Sequence, residues 1–309
     1  MEAGNRTTDF IILGLTDRRQ LQTVLFFVFL LIYTITVMGN LGIIVVIMVN
    51  SSLHKPMYFF LANLSFVDLG YSTSVVPKMM MSLATQTKSI YFISCALQFY
   101  FFASFLISEF YILVIMAFDR YMAICYPLHY TIKMSPRFCV LLVVLSHTYG
   151  FSDAMTQTIL TFRLSYCGSR KIEGFFCSDP SLLKISCSDL RIKQTMLLMS
   201  VVFNLSLTLF CILVSYIFII SAILRMSSAE ARHKTFSTCS SHLMSVLLFY
   251  GTLCFMYLRP NSENSMNQDK VVAVFYSVII PMLNPMIYSL RNQEVKDALK
   301  KVFRRKNHS

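Results

Sequence analysis

The residues in this chain that could do chemistry are few, and they fall where charge is disfavoured. Asp68 and Glu109 lie in the middle of long apolar runs, and an ionisable side chain near the centre of a bilayer span costs on the order of 3 kcal/mol. Two carboxylates turned toward one cavity repel unless one is protonated or a cation lies between them. Two arrangements relieve this: a sodium ion held by Asp68 and Glu109, or a pair of neutral, hydrogen-bonded acids that pin two helices together. Asp119-Arg120-Tyr121 closes the third apolar run, where the Arg reaches the interface and the adjacent Asp supplies a counter-charge. Asn284-Pro285-Met286-Ile287-Tyr288 places a Pro inside the seventh run, freeing a backbone carbonyl that a polar neighbour or water must satisfy. Asp153 and His147 in the fourth run read as hydrogen-bonded structural groups. No Ser/His/Asp, Cys/His or metal-spaced His cluster emerges, so an enzyme is not expected.

The elements that must hold these residues are membrane spans. The 309 residues are 56% hydrophobic with a mean hydropathy of +0.61, and stretches of about 20 apolar residues, enough to cross a bilayer as helix, recur along the chain. They predict seven helices, at roughly Leu21 to Val49, Met57 to Leu83, Tyr91 to Arg120, Phe138 to Leu160, Thr195 to Leu224, Phe236 to Leu258 and Val271 to Leu290. In lipid every backbone amide must be paired internally, so the expected class is all-α, a seven-transmembrane-helix bundle. Residues 1–20 form an extracellular tail, 21–290 the bundle, and 291–309 a short cytoplasmic amphipathic helix and tail. Asp9, Asp17, Arg18 and Arg19 precede the first run, which argues for that helix as the insertion signal and against a cleaved leader.

Lys and Arg divide almost evenly between the two faces of such a bundle. Discounting the long loop near Arg163 to Lys193 leaves the C-terminal face as the cytoplasmic one. A glycosylation sequon at Asn5-Arg6-Thr7 agrees. So do Cys95, Cys167, Cys177 and Cys187, which gather on the opposite, oxidising side and allow three pairings. The other five cysteines read as small, buried, reduced side chains. In the tail, Val295, Leu299, Val302 and Phe303 stand among basic residues, the pattern of a helix on an anionic lipid surface. The net charge of +12 therefore points to membrane lipid, with no nucleic-acid partner expected.

An ordered series of motifs resembles the olfactory receptor family of rhodopsin-like G-protein-coupled receptors over nearly the whole chain. It comprises Gly39-Asn40, the run Leu53-His54-Lys55-Pro56-Met57-Tyr58-Phe59-Phe60-Leu61, the run Met116 to Cys125 around Asp119-Arg120-Tyr121, Pro127-Leu128-His129-Tyr130, Ser215-Tyr216, Lys234 to Leu243, and Pro281 to Asn292. The resemblance implies an odorant receptor that binds a small volatile ligand and activates a stimulatory olfactory-type heterotrimeric G protein to raise cyclic AMP. It implies disulfides Cys95 to Cys177 and Cys167 to Cys187. It gives Arg120 the G-protein contact, with Tyr216 and Tyr288 turning inward when the sixth helix swings out. Trp is absent, so the Trp switch of the wider class cannot operate, and Tyr250 in Phe249-Tyr250-Gly251 becomes the switch candidate. Phe118 and Tyr126 depart from the commoner Tyr and Asn. Gly174-Phe175-Phe176-Cys177 replaces a His-bearing pattern, so no copper site is expected.

Phe102, Leu106, Ile107 and Phe110 share a face of the third helix by spacing, with Ala103 beside them. The resemblance sets that face toward Ser200 and Asn204 of the fifth helix, Leu253, Cys254 and Tyr257 of the sixth, and Val274 and Ser277 of the seventh. A small, mostly apolar pocket follows, as small-molecule sites usually show. Amine receptors of the wider class carry Asp where this chain has Phe102, so a neutral volatile is expected over a cationic amine. A transporter is the rival from another class, since mid-membrane carboxylates also mark ion coupling. Paired broken helices and internal symmetry, which would favour it, are not evident.

Overall fold

The computed structural model describes residues 9–85, 88–167, 169–257, 265–291 and 294–298. Its elements are β1 (Asp9–Ile12), α1 (Arg19–Val49), α2 (Pro56–Thr85), β2 (Ser89–Tyr91), α3 (Phe92–Cys125), α4 (Pro127–Lys133), α5 (Pro136–Phe162), β3 (Lys171–Ile172), α6 (Asp179–Lys184), α7 (Arg191–Leu224), α8 (Ala229–Tyr257), α9 (Ser265–Val274) and α10 (Ile280–Arg291). A π turn at Phe275–Ile279 joins the last two into one span. Among the described residues, seven helical segments are long and apolar enough to cross a membrane, and the protein is a multi-pass membrane protein. The lipid-facing side is apolar: Phe27, Leu31 and Met38 of α1 are 62%, 63% and 69% exposed.

The spans lie where hydropathy puts them, but their ends extend further. The helix expected to stop at Arg120 continues to Cys125, and the one expected from Thr195 begins at Arg191, which moves Lys193 from the loop into α7. Apolar periodicity fades at the bilayer edge, while backbone hydrogen bonding does not. Three short strands are a further departure from all-α. β1 pairs antiparallel with β2 and parallel with β3, Asp9 opposite Tyr91 and Ile12 opposite Ile172, so part of the N-terminal tail is a structured cap. Strands of two to four residues are too short for alternation to stand out in sequence. At Gly14 (φ +80°) the chain turns out of the cap with its N–H on Gly174 O at 2.7 Å, a conformation that only glycine adopts at little cost.

Two contacts explain why small and polar residues interrupt the apolar runs. Gly150 lets α5 cross α3 closely, because a Cβ there would lie 2.6 Å from Ser108 Oγ and 3.0 Å from Ser104 O. Pro285 has no N–H for the carbonyl of Pro281 four residues earlier, and Asn40 Nδ2 of α1 donates to that carbonyl at 2.9 Å. Gly39 makes room, since a Cβ there would press on the Pro285 ring at 3.1 Å.

Buried side chains form an inner cluster around Leu64, Met116, Phe249 and Tyr288, an outer one around Tyr71, Phe102, Phe176 and Tyr276, and a third beneath the strands, with Phe10, Ile12, Phe99 and Leu182. Cys95 is joined to Cys177 and Cys167 to Cys187, the connectivity that the resemblance implies. In the tail, residues 294–298 are helical. Val295 and Ala298 are buried in the inner cluster rather than turned to lipid, and Lys55 pairs with Glu294 at 2.6 Å. Asn5, Leu299, Val302 and Phe303 lie outside the described residues.

Candidate functional site

In the outer half of the bundle, a cavity of about 110 Å³ opens between α3, α5, α7 and α8 beneath the loop that carries α6. Phe102, Ala103, Leu106, Ile107 and Phe110 of α3, Ser200 and Asn204 of α7, and Leu253 of α8 line it, as the helical spacing and the resemblance place them. Cys254, Val274 and Ser277 do not. Ser277 is buried one layer away with its hydroxyl on Ala273 O at 2.6 Å, and Val274 packs into the outer cluster. The Tyr257 side chain lies outside the described residues. Phe102 stacks on Tyr71 with centroids 4.8 Å apart and meets Phe176 at 4.9 Å. It is part of an aromatic wall that is rigid because each ring blocks the next.

Polar lining that sequence alone did not show comes from Gln157 of α5 and from Ser178 and Asp179 of the loop. Asp179 is held at that end by Lys193 at 3.0 Å, with side-chain exposures of 10% and 2%, and by the Thr161 hydroxyl at 2.9 Å. Lys193 also donates to Gln157 Oε1 at 2.7 Å. Burial pushes the Asp179 carboxyl above the usual carboxylate range, and the Lys193 charge and its hydrogen bond, with Thr161, hold it partly back. On the other wall, Ser200 Oγ donates to Asp153 Oδ2 at 2.6 Å and Asn204 Nδ2 reaches the same oxygen at 3.2 Å. Asp153 is thus the hydrogen-bonded group expected of it, directly behind the cavity.

Below the cavity, Phe110 packs edge-on against Phe249 at 4.9 Å and Tyr250 at 5.4 Å. Asn284 Nδ2 donates to both oxygens of Asp68 at 3.1 Å. Glu109 is buried with neither oxygen hydrogen-bonded, and Asn284 Oδ1 also lacks a partner. Among the described residues no group of three or more His, Cys, Asp or Glu could hold a metal. Toward the C-terminal end of α3, Asp119 is the counter-charge expected beside Arg120, whose charge acts on it, but the two make no ion pair within 4.0 Å among the described residues. Asp119 Oδ1 accepts from Tyr130 of α4 at 2.7 Å, because the loop helix brings that hydroxyl up to the buried carboxylate. Arg120 Nε is buried without a partner. Tyr216 bonds His242 Nδ1 at 2.8 Å and stacks on its ring, and His242 Nε2 meets Leu113 O at 3.0 Å. Nε2 must be the donor to a carbonyl, which leaves Nδ1 of the neutral ring to accept the Tyr216 hydroxyl. The hydroxyls of Tyr250 and Tyr288 are buried without a hydrogen-bond partner, and Tyr121 packs on Tyr126 and Phe218.

A family model described as olfactory receptor matches residues 29–306. The chain belongs to the olfactory receptor family. Olfactory receptor 5AP2 of Mus musculus is 56% identical over 295 residues, 96% of this chain and 93% of that one. Olfactory receptor 5M11 of Homo sapiens is 52% identical, covering 97% and 98%. Squid rhodopsin, at 17% identity and a TM-score of 0.73 over 93% of this chain and 81% of that one, shares the fold. Members of this family are signalling receptors, not enzymes, and act on odorants and G proteins. In this receptor, the residues that sequence reasoning passed over are Asp179, Lys193, Tyr130 and the role of His242. Tyr130 and His242 both stand in family motifs of the sequence, Pro127 to Tyr130 and Lys234 to Leu243. Lys193 stood just before the expected start of its span at Thr195, where a cation reads as an ordinary interfacial residue.

Proposed function

We propose that this receptor binds small, mostly apolar volatile molecules in the outer cavity and activates a stimulatory olfactory-type G protein to raise cyclic AMP. The observation that carries the reading is the cavity itself: aromatic and aliphatic on most sides, with few polar groups, and seated on the Phe110–Phe249–Tyr250 cluster that leads to the opposite end. A dry cavity of about 150 Å³ takes a benzene-sized molecule, so about 110 Å³ suits a ligand of that order or smaller. Burial at about 25 cal/mol per Å² supplies most of the affinity.

Activation is a population shift, limited by the difference in agonist affinity between closed and open states. The ties of His242 to Tyr216 and Leu113 hold α8 against α7 and α3 in the closed state. When α8 swings out, Arg120 meets the G protein, Tyr216 and Tyr288 turn inward, and Tyr250 transmits the change from the cavity floor. Asp119, Tyr121, Asn284 and Pro285 support that core. The N-terminus is extracellular and the C-terminus cytoplasmic, which puts both disulfides in an oxidising compartment. A sodium ion between Asp68 and Glu109 steadies the closed state, a reading supported by the unpartnered oxygens of Glu109.

A cyclic AMP screen of volatiles on cells expressing the receptor with a stimulatory G protein tests this. Ala103→Phe, which fills the cavity, should remove the response, and Arg120→Ala should abolish signalling at unchanged surface display. Signalling preserved in Arg120→Ala would count against the coupling, and an agonist series indifferent to Ala103→Phe against the cavity. Raising sodium should lower agonist potency in wild type but not in Glu109→Gln.

A further inference from the structure

At the α7 wall and the loop end of the cavity, the polar groups of Ser200, Asn204, Ser178 and Asp179 have hydrogen bonds to accept and almost none to give. Ser200 has one hydroxyl proton, and it is committed to Asp153 Oδ2 at 2.6 Å. The two N–H groups of Asn204 are taken by Asp153 Oδ2 at 3.2 Å, Ser200 O at 2.9 Å and Ser200 Oγ at 3.2 Å, while its Oδ1 accepts from the Tyr111 hydroxyl at 2.9 Å. At the loop end, Ser178 Oγ donates to Ser181 Oγ at 3.2 Å, and Asp179 is an acceptor held by Lys193 and Thr161. The Lys193 ammonium spends its protons on Asp179 and Gln157 and does not reach the cavity wall. Gln157 keeps one N–H beyond its 3.4 Å bond to Met196 O, about one helical turn from Ser200. Asp153 has no cation within 4.0 Å among the described residues, so no ion pair competes with Ser200 and Asn204 for its oxygen.

We propose that Asp153, from behind the wall, turns Ser200 into a hydrogen-bond acceptor and makes the cavity selective for small alcohols and phenols over the corresponding ketones and ethers. The inference rests on the cavity being the odorant site. A ligand hydroxyl donates to the remaining lone pair of Ser200 Oγ. A ketone or ether oxygen at the same place meets lone pairs and loses its water without a replacement. An ammonium would enter a mostly apolar cavity whose lining carboxylate, Asp179, is already paired with Lys193, and a carboxylate would face Asp179 with no cation on the wall. Asp153 is a positioning residue, since it acts on the ligand through Ser200.

The test uses the intact receptor in cells and matched alcohol, ketone, methyl ether and hydrocarbon on one carbon skeleton, read as cyclic AMP potency. In wild type the alcohol should be about 10-fold more potent than the ketone or ether, equivalent to about 1.4 kcal/mol. Ser200→Ala should cost the alcohol about 10-fold and leave the ketone unchanged. Asp153→Ala frees the Ser200 proton, so the ketone should gain and the alcohol preference collapse, a ratio that poor folding alone would not move. If Asp153→Ala fails to reach the surface, Ser200→Ala, which leaves Asp153 on Asn204, decides alone. Ketone as potent as alcohol in wild type, or a preference that survives Ser200→Ala, overturns the inference while leaving the odorant site standing. Silence toward all four compound classes and the wider volatile screen, at normal surface display, overturns the odorant-site reading and this inference with it.

Discussion

Lys193→Met should destabilise the outer end of the bundle severely, and for a reason that a second substitution can isolate. Lys193 and Asp179 form a buried ion pair at 3.0 Å, with 2% and 10% of their side chains exposed. Removing one partner of such a pair leaves the other charge uncompensated, at a cost of about 3–5 kcal/mol, against a total stability on the order of 5–15 kcal/mol for a folded domain. Met keeps most of the Lys stem, so the loss of packing is minor. Among the described residues Asp179 then retains the Thr161 hydroxyl as its side-chain donor. The double variant Asp179→Asn, Lys193→Met keeps an acceptor for Thr161 and removes the charge, and should recover most of the loss. Thermal unfolding of purified receptor in detergent measures both. The deficit of Lys193→Met should also shrink on acidification. Burial places the folded-state Asp179 pKa above its usual 3.8, so the folded form takes up the proton first. The stability cost of the charge appears as pH rises from 3.8 through the folded-state value, and protonation below it makes the missing cation irrelevant. Equal unfolding temperatures for the single and double variants would refute the reasoning, because the carboxylate would then not be confined without its partner.

Three further outcomes follow from contacts already described. Asn40→Ala leaves the Pro281 carbonyl buried without its donor and should cost about 1–3 kcal/mol, seen as a lower unfolding temperature. An unchanged temperature would mean that this carbonyl is satisfied some other way. Gly150→Leu drives a side chain into Ser108 and the Ser104 carbonyl. Overpacking of about 1–3 kcal/mol or more should reduce the receptor reaching the surface, read by flow cytometry. His242→Phe keeps a ring against Tyr216 but removes the bonds to Tyr216 and Leu113. Basal cyclic AMP should rise without agonist, and a basal level at or below wild type would show that these bonds do not hold the closed state.

The spans were legible in the sequence because a bilayer imposes one simple demand, about 20 apolar residues per crossing, and each of the seven runs meets it. The cap of β1, β2 and β3 was not. Its registers join residues some 80 and 160 positions apart, such as Asp9 with Tyr91 and Ile12 with Ile172, and no local pattern in a two- to four-residue strand announces such partners. The demand of Pro285 for a donor could be read from Pro chemistry alone, but that Asn40 meets it appears only when α1 lies beside α10.

The site divides along the same line. One face of α3, from Phe102 to Phe110, follows from 3.6-residue spacing, and five of its members line the cavity. What a polar wall residue can do for a ligand is decided elsewhere, by what its other hydrogen bonds already hold. Ser200 in sequence is both donor and acceptor. Beside Asp153, 47 positions earlier on α5, it is left with lone pairs. The same holds at the loop, where Asp179 alone would be an ionic anchor, yet Lys193 and Thr161 bind it, and Gln157 binds Lys193, in a neutral, closed group. On the proposed reading, ligand chemistry in this receptor is therefore set by residues that need not touch the ligand. Substitutions at Asp153 should change which compounds activate it more than substitutions at apolar wall positions such as Leu106, which should change mainly how large a compound fits.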